Sequence, residues 1–244
     1  MRAGNRFSGR QGRLIHGFIG LLSRLGKHSD VQRQQRIKFV GYRDLLDLLE
    51  KPECPACAIA HRSIDDFLSV AFVEELTMPE FRNPLRASLG FCRLHSGYVR
   101  AAARVRLKAM GIAVVYEDLL ALVQEHLRQR RAVPLISGCP LCRLQQDLEA
   151  YAVQLIADYC HDSEFQNAYE LSAGVCLPHL KGLLQLLDTD ARNFITHSHQ
   201  KKLGTLLMHL QEFIRKHDYR FSREKLTEHE AASGMSAVTM VVGY

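Results

Sequence analysis

Residues 54–72 read CPACAIAHRSIDDFLSVAF, and residues 139–160 read CPLCRLQQDLEAYAVQLIADYC. Each opens with a Cys-Pro-x-Cys pair and runs into an apolar pattern of helical period. In the first, Ile64, Phe67, Leu68, Ala71 and Phe72 fall at i, i+3, i+4, i+7 and i+8, one buried face of a helix. In the second, Leu148, Tyr151, Ala152, Leu155, Ile156 and Tyr159 repeat that face. Strand-type alternation is nearly missing, with Ala237 to Val242 its one candidate. The expected fold class is all-α.

The similarity is a duplication. Cys54-Pro55-Ala56-Cys57 recurs 85 residues later as Cys139-Pro140-Leu141-Cys142, and Cys92-Arg93-Leu94-His95 recurs 84 residues later as Cys176-Leu177-Pro178-His179. Glu80-Phe81, Asn83, Ser88 and Gly90 answer at the same offset of 84 to Glu164-Phe165, Asn167, Ser172 and Gly174. Leu119-Leu120 and Gln124-Glu125 answer to Leu206-Leu207 and Gln211-Glu212. A fixed self-similarity of this kind marks a repeated supersecondary unit. The expected layout is a basic N-terminal segment over 1–37, copies over 38–133 and 134–221, and a flexible tail over 222–244.

Each copy reads as about four helices. Thr77-Met78-Pro79-Glu80 resembles a capping box opening the second helix, with Asp162 or Ser163 as its counterpart, and Gly90 and Gly174 sit where that helix stops. A third helix starts at each Cys-x-x-His. Leu119, Leu120, Val123 and Leu127, then Leu206, Leu207, Leu210 and Ile214, mark the last. Placed at helix N-termini, the cysteines face unpaired N–H groups and a partial positive charge, which favour the metal-binding thiolate.

Three cysteines and a histidine per copy form a tetrahedral ligand set. The candidate ligands are Cys54, Cys57, Cys92 and His95, then Cys139, Cys142, Cys176 and His179. Two zinc ions per chain, closed and structural, are the leading expectation; an iron–sulfur cluster on the same ligands is the alternative. A first helix climbing about 27 Å and a second returning most of it would bring each copy's own motifs together. Pairing within each copy is therefore favoured. The arrangement in which the four Cys-Pro-x-Cys thiols share one ion and the Cys-x-x-His motifs another stays open. A glutaredoxin-like thiol pair is a weaker reading, since the βαβ setting is missing. The plainer reading, cysteines as small buried hydrophobes, suits a single residue better than eight recurring in register.

Other features point less far. Cys160-His161 has no matching cysteine in the first copy and reads as a core cysteine beside a helix end. His197 and His199 flank Ser198 in a polar stretch that reads as solvated surface. Glu80 reads as a capping residue, while Asn83 and Ser88 are balanced between local roles and orienting ligands. No phosphate loop, nucleophile elbow or His-Glu-x-x-His helix occurs, and no catalytic constellation is assembled.

The formal charge is +6, yet Arg2, Arg6, Arg10, Arg13, Arg24 and Lys27 stand without an acid before Asp30; the other 26 basic residues meet 26 acidic ones. A basic tail on a neutral body argues against nucleic acid. Leu14, Ile15, Phe18, Ile19, Leu22 and Leu25 share a face of a basic amphipathic segment, expected to cover the body or a partner, with peripheral membrane contact through 13–27 the second reading. Leu14–Leu25 is interrupted by His16, Ser23 and Arg24 and lacks a cleavage pattern, so a thiol-reducing cytoplasm is expected.

With Arg86-Ala87-Ser88-Leu89-Gly90-Phe91-Cys92-Arg93-Leu94-His95, the duplicated pattern over about 54–217 resembles an uncharacterised prokaryotic family with repeated Cys-Pro-x-Cys and Gly-Phe-Cys-x-x-His motifs. The resemblance implies a helical, two-site, metal-binding protein and brings no reaction. The second copy departs with Val175 at the Phe91 position and Pro178 before its histidine, leaving the ligands intact. The expected function is a metal-binding scaffold serving a protein partner; the alternative is iron–sulfur electron transfer.

Overall fold

Pro55 and Pro140 occupy first helical positions, where a missing N–H costs nothing, and the computed structural model starts a long helix at each. The structure describes residues 41–133, 138–221 and 223–243. Every regular element among them is helical. In chain order these are α1 (41–49), α2 (Pro55–Ala71), α3 (Pro79–Ser88), α4 (Ser96–Ala102), α5 (Arg106–Arg128), α6 (Pro140–Tyr159), α7 (Ser163–Leu171), α8 (Leu177–Leu186), α9 (Thr189–Lys216) and α10 (Glu228–Val242), with a 3₁₀ turn at Tyr219–Phe221. The basic segment over 13–27 and residues 134–137, where the second copy begins, lie outside the described residues.

The chain divides into two compact units, and they are not the sequence copies. The first unit holds Arg62–Gln146; the second holds Lys38–His61 together with Asp147–Tyr244. The divisions fall inside α2 and α6, so each Cys-Pro-x-Cys pair belongs to a different unit from most of the copy it begins.

In the first unit the expected face of α2 is buried at Ile64, Leu68, Ala71 and Phe72, each large side chain contributing about 1.5–3 kcal/mol. Phe72 meets Phe81 of α3 and Phe91 edge-on. Helix α5 passes so near this point that a Cβ on Gly111 would stand 1.9 Å from the Phe72 carbonyl oxygen. The Thr77 capping box does not form: Met78 is the N-cap and makes no side-chain cap, with Pro79 following it. Helix α3 ends with Leu89 left-handed at φ 51° and Gly90 at φ 100°, the Gly90 amide donating back to Leu85.

In the second unit Asp162 does cap α7, accepting from the amides of Glu164 and Phe165. It also accepts the Tyr42 hydroxyl, tying α1 to that helix start. Of the predicted α6 face, Ala152, Leu155 and Ile156 are buried, while Tyr151 is exposed and Val153 is buried instead. Cys160 is a core residue, its thiol donating to the Ile156 carbonyl. Ser198 and His199 are buried rather than solvated. The His199 ring spans the Val175 and Ile195 carbonyls at 3.0 and 3.2 Å, fixing the residue before Cys176.

The expected flexible tail over 222–244 is corrected by helix α10. Thr227 and Glu230 form a capping box, and Lys216 of α9 holds both Glu230 carboxylate oxygens at 2.8 Å. The helix packs on α9 and α8. The Thr-x-x-Glu signature was present in the sequence. The apolar alternation from Ala237 to Val242, read as the one strand candidate, is helical.

Candidate metal centres

Among the described residues two groups of four ligand-type side chains form, each within one unit. Cys54, Cys57, Cys176 and His179 meet in the second unit, and Cys92, His95, Cys139 and Cys142 in the first; within each group the ligand atoms lie within 4.8 Å of one another. All eight predicted residues are used. Both pairings weighed from the sequence are corrected, because the Cys-Pro-x-Cys of each copy meets the Cys-x-x-His of the other.

Helix length explains the exchange. Helix α2 has 17 residues and α3 only 10, so about 25 Å of climb is answered by about 15 Å of return. In the second copy, α6 has 20 residues and α7 has 9, leaving about 16 Å unmatched. The return helices are too short to bring a Cys-x-x-His back to the pair that began its copy.

The separations are those of ligands around one ion. In the second unit, His179 Nδ1 lies 3.5, 3.5 and 3.1 Å from the sulfurs of Cys54, Cys57 and Cys176, and the Cys57 and Cys176 sulfurs are 3.8 Å apart. In the first, His95 Nδ1 lies 3.2, 3.6 and 3.4 Å from Cys92, Cys139 and Cys142, with Cys92 and Cys142 3.7 Å apart. Tetrahedral bonds of 2.3 Å to sulfur and 2.0–2.1 Å to nitrogen require edges of about 3.8 Å between sulfurs and about 3.6 Å from sulfur to nitrogen. The measured separations are close to these edges, and all four ligand atoms of each group lie within 4.8 Å of one another.

Each imidazole is oriented from behind. His95 Nε2 meets Gln145 Oε1 at 2.7 Å, and His179 Nε2 meets a Glu149 carboxylate oxygen at 3.6 Å. A proton on Nε2 leaves the Nδ1 lone pair aimed at the sulfurs, as metal-ligating histidines require. The repeated residues weighed for this task do other things. Ser88 donates to the Gly90 and Pro84 carbonyls, Ser172 donates to Tyr169, and Asn83 and Asn167 are exposed. Gln145 and Glu149 sit three and seven residues beyond Cys142 on α6; no repeat in the sequence pointed to them.

Without an ion, each group competes for protons. Burial pushes the Cys92 thiol up, but the His95 amide and ring with Cys142 and Cys139 outweigh it and hold Cys92 near 6. Burial, Cys92 and Cys139 push Cys142 up to about 12. In the second unit Cys176 and Cys57 hold Cys54 far down, while Cys176 and Cys54 drive Cys57 far up. Burial opposes a charge on His179, yet Cys176, Cys54 and Glu149 raise it to about 12. Packed thiols cannot all ionise unless a cation takes the place of the shared protons.

Fold and site together define an all-helical protein with two Cys3His groups, each able to hold a metal ion. Residues 129–241 match a family described as "Family of unknown function (DUF6062)", over the second copy and the C-terminal helix. The chain is also similar to an "Uncharacterized 23.9 kDa protein in xynA 3'region" of Caldicellulosiruptor sp. (strain Rt8B.4), 22% identical over 206 residues that cover 82% of this chain and 99% of that protein. No solved structure matches significantly. The similarity to proteins of unknown function agrees with the resemblance read from the motifs. No described helix is long and apolar enough to cross a membrane.

Proposed function

We propose that the protein is a zinc-binding helical scaffold, with one structural ion per unit and a surface that serves a protein partner in the cytoplasm. The observation that carries this is the pair of four-ligand groups, each with an imidazole nitrogen 3.1–3.6 Å from three sulfurs and all ligand atoms within 4.8 Å of one another. Zinc suits a closed set of three thiolates and one imidazole, with no open position for a substrate. The ion would tie a helix start to a motif 119 residues away in the second unit and 50 away in the first. Closing such long loops is where a clip constrains the unfolded chain most.

An iron–sulfur cluster on the same ligands is the competing reading. Each ligand of a four-iron cluster holds a different iron, so the ligand atoms spread around a many-atom core; the tight tetrahedra favour one ion. A thiol oxidoreductase is weaker still, since the described residues contain no strand to build a βαβ site. Anaerobic purification followed by metal analysis and a visible spectrum separates the three. Two zinc per chain and no colour is the expected result. Brown protein with iron and acid-labile sulfide would overturn zinc, and metal-free protein with a titratable disulfide would overturn both metal readings.

A further inference from the structure

The two centres differ in what covers them. In the second unit every ligand is buried, with Cys54, Cys57, Cys176 and His179 at 2%, 7%, 2% and 8% exposure. The cover includes the end of α10: a Cβ placed on Gly243 would stand 3.1 Å from the Cys57 sulfur and 3.3 Å from the Cys176 sulfur. Gly243 has φ +86°, so its backbone can lie against the sulfurs where a side chain would collide. In the first unit Cys92 and Cys142 are partly exposed, while His95 and Cys139 are buried. The difference follows from the chain's course. In the sequence only ten residues separate Arg128, the end of α5, from Cys139, whereas after α9 the chain continues through Thr227 into α10.

We propose, building on the metal reading, that the centres divide the work: the second unit's site retains its ion beneath α10, and the first unit's site exchanges a thiophilic divalent cation with solution. Exchange needs an incoming thiol or chelator to reach a coordinated sulfur. Cys92 and Cys142 meet solvent as the protein stands. Cys57 and Cys176 lie beneath Gly243 at the end of α10, and the Lys216–Glu230 pair and the packing on α8 and α9 oppose the lifting of that helix.

The test loads the full chain with zinc and follows transfer to an excess of chromogenic chelator. Two phases of one ion each are expected, the slow one at least about tenfold slower because it waits for local opening. Cys92→Ser should remove the fast phase and Cys176→Ser the slow one. Lys216→Met, which acts at the start of α10, and Gly243→Val, at its end, should each speed only the slow phase. Two ions leaving at one rate, or a slow phase indifferent to both latter variants, would overturn the division while leaving the metal reading intact. A chain that loads no ion would overturn both.

Discussion

The first unit's centre and the second unit's centre use the same set of three cysteines and one histidine at nearly the same separations, yet one meets solvent and the other lies under a helix. Coordination geometry and protection are thus set by different parts of the chain. Two short motifs make a tetrahedron wherever a fold brings them together. Whether that tetrahedron is reachable depends on segments outside the motifs, here Glu228–Gly243. The imidazole supports differ too, an amide oxygen behind His95 and a carboxylate behind His179.

The most damaging test breaks the pairing. Cys92→Ser should lose one of two ions entirely. In mass-mapped alkylation it should expose Cys139 and Cys142, while Cys54 and Cys57 remain protected. Labelling of Cys54 and Cys57 instead would restore the within-copy pairing.

Acid should then separate the two centres. Groups raised in the ion-free state must lose protons to bind, so affinity increases with pH and is lost as pH falls. At neutral pH, Cys142, pushed up to about 12, holds a proton in the first unit, whereas Cys57, driven far up, and His179, raised to about 12, both hold one in the second. Affinity should decline about tenfold per pH unit for each proton released, and so more steeply in the second unit. Zinc titrations of the Cys92→Ser and Cys176→Ser chains between pH 8 and 6 would measure the two slopes separately; equal slopes would count against the distinction.

A change confined to one unit should stay there. Gly111→Ala forces a methyl group against the Phe72 carbonyl, a backbone atom that cannot rotate away, and should cost about 2 kcal/mol by overpacking. Urea unfolding should show that loss, with the second unit's slow ion release unaltered. Smallest is the support behind each imidazole. Gln145→Ala should weaken zinc at the first centre about tenfold and Glu149→Ala at the second by a similar factor, read by chelator competition. A variant that weakened the opposite centre would contradict the assignments.

Much of this was legible before any tertiary structure. The Cys-Pro-x-Cys and Cys-x-x-His spacings picked out all eight side chains that the structure gathers into the two groups, because candidate ligands are recognised by residue type and spacing. The faces of α2 and α6 were readable from period, apart from Tyr151 and Val153. At Thr77 the capping pattern stays unused because Pro79 lets the helix begin without a side-chain cap, whereas at Thr227 the same pattern, completed by Glu230, forms the box. His199 looked solvated in a polar neighbourhood, yet it lies one turn beyond Ile195 on the inner face of α9.

By itself the sequence determined that the chain is helical, duplicated and equipped with two Cys3His sets, since each of these depends on patterns a few residues long. Only the tertiary structure decided which pair of motifs shares a tetrahedron and which tetrahedron is covered. Both outcomes depend on summed lengths: how far α3 and α7 fall short of α2 and α6, and where α10 comes to rest. A difference of a few helical turns displaces a ligand by more than 10 Å, and no local pattern records that displacement.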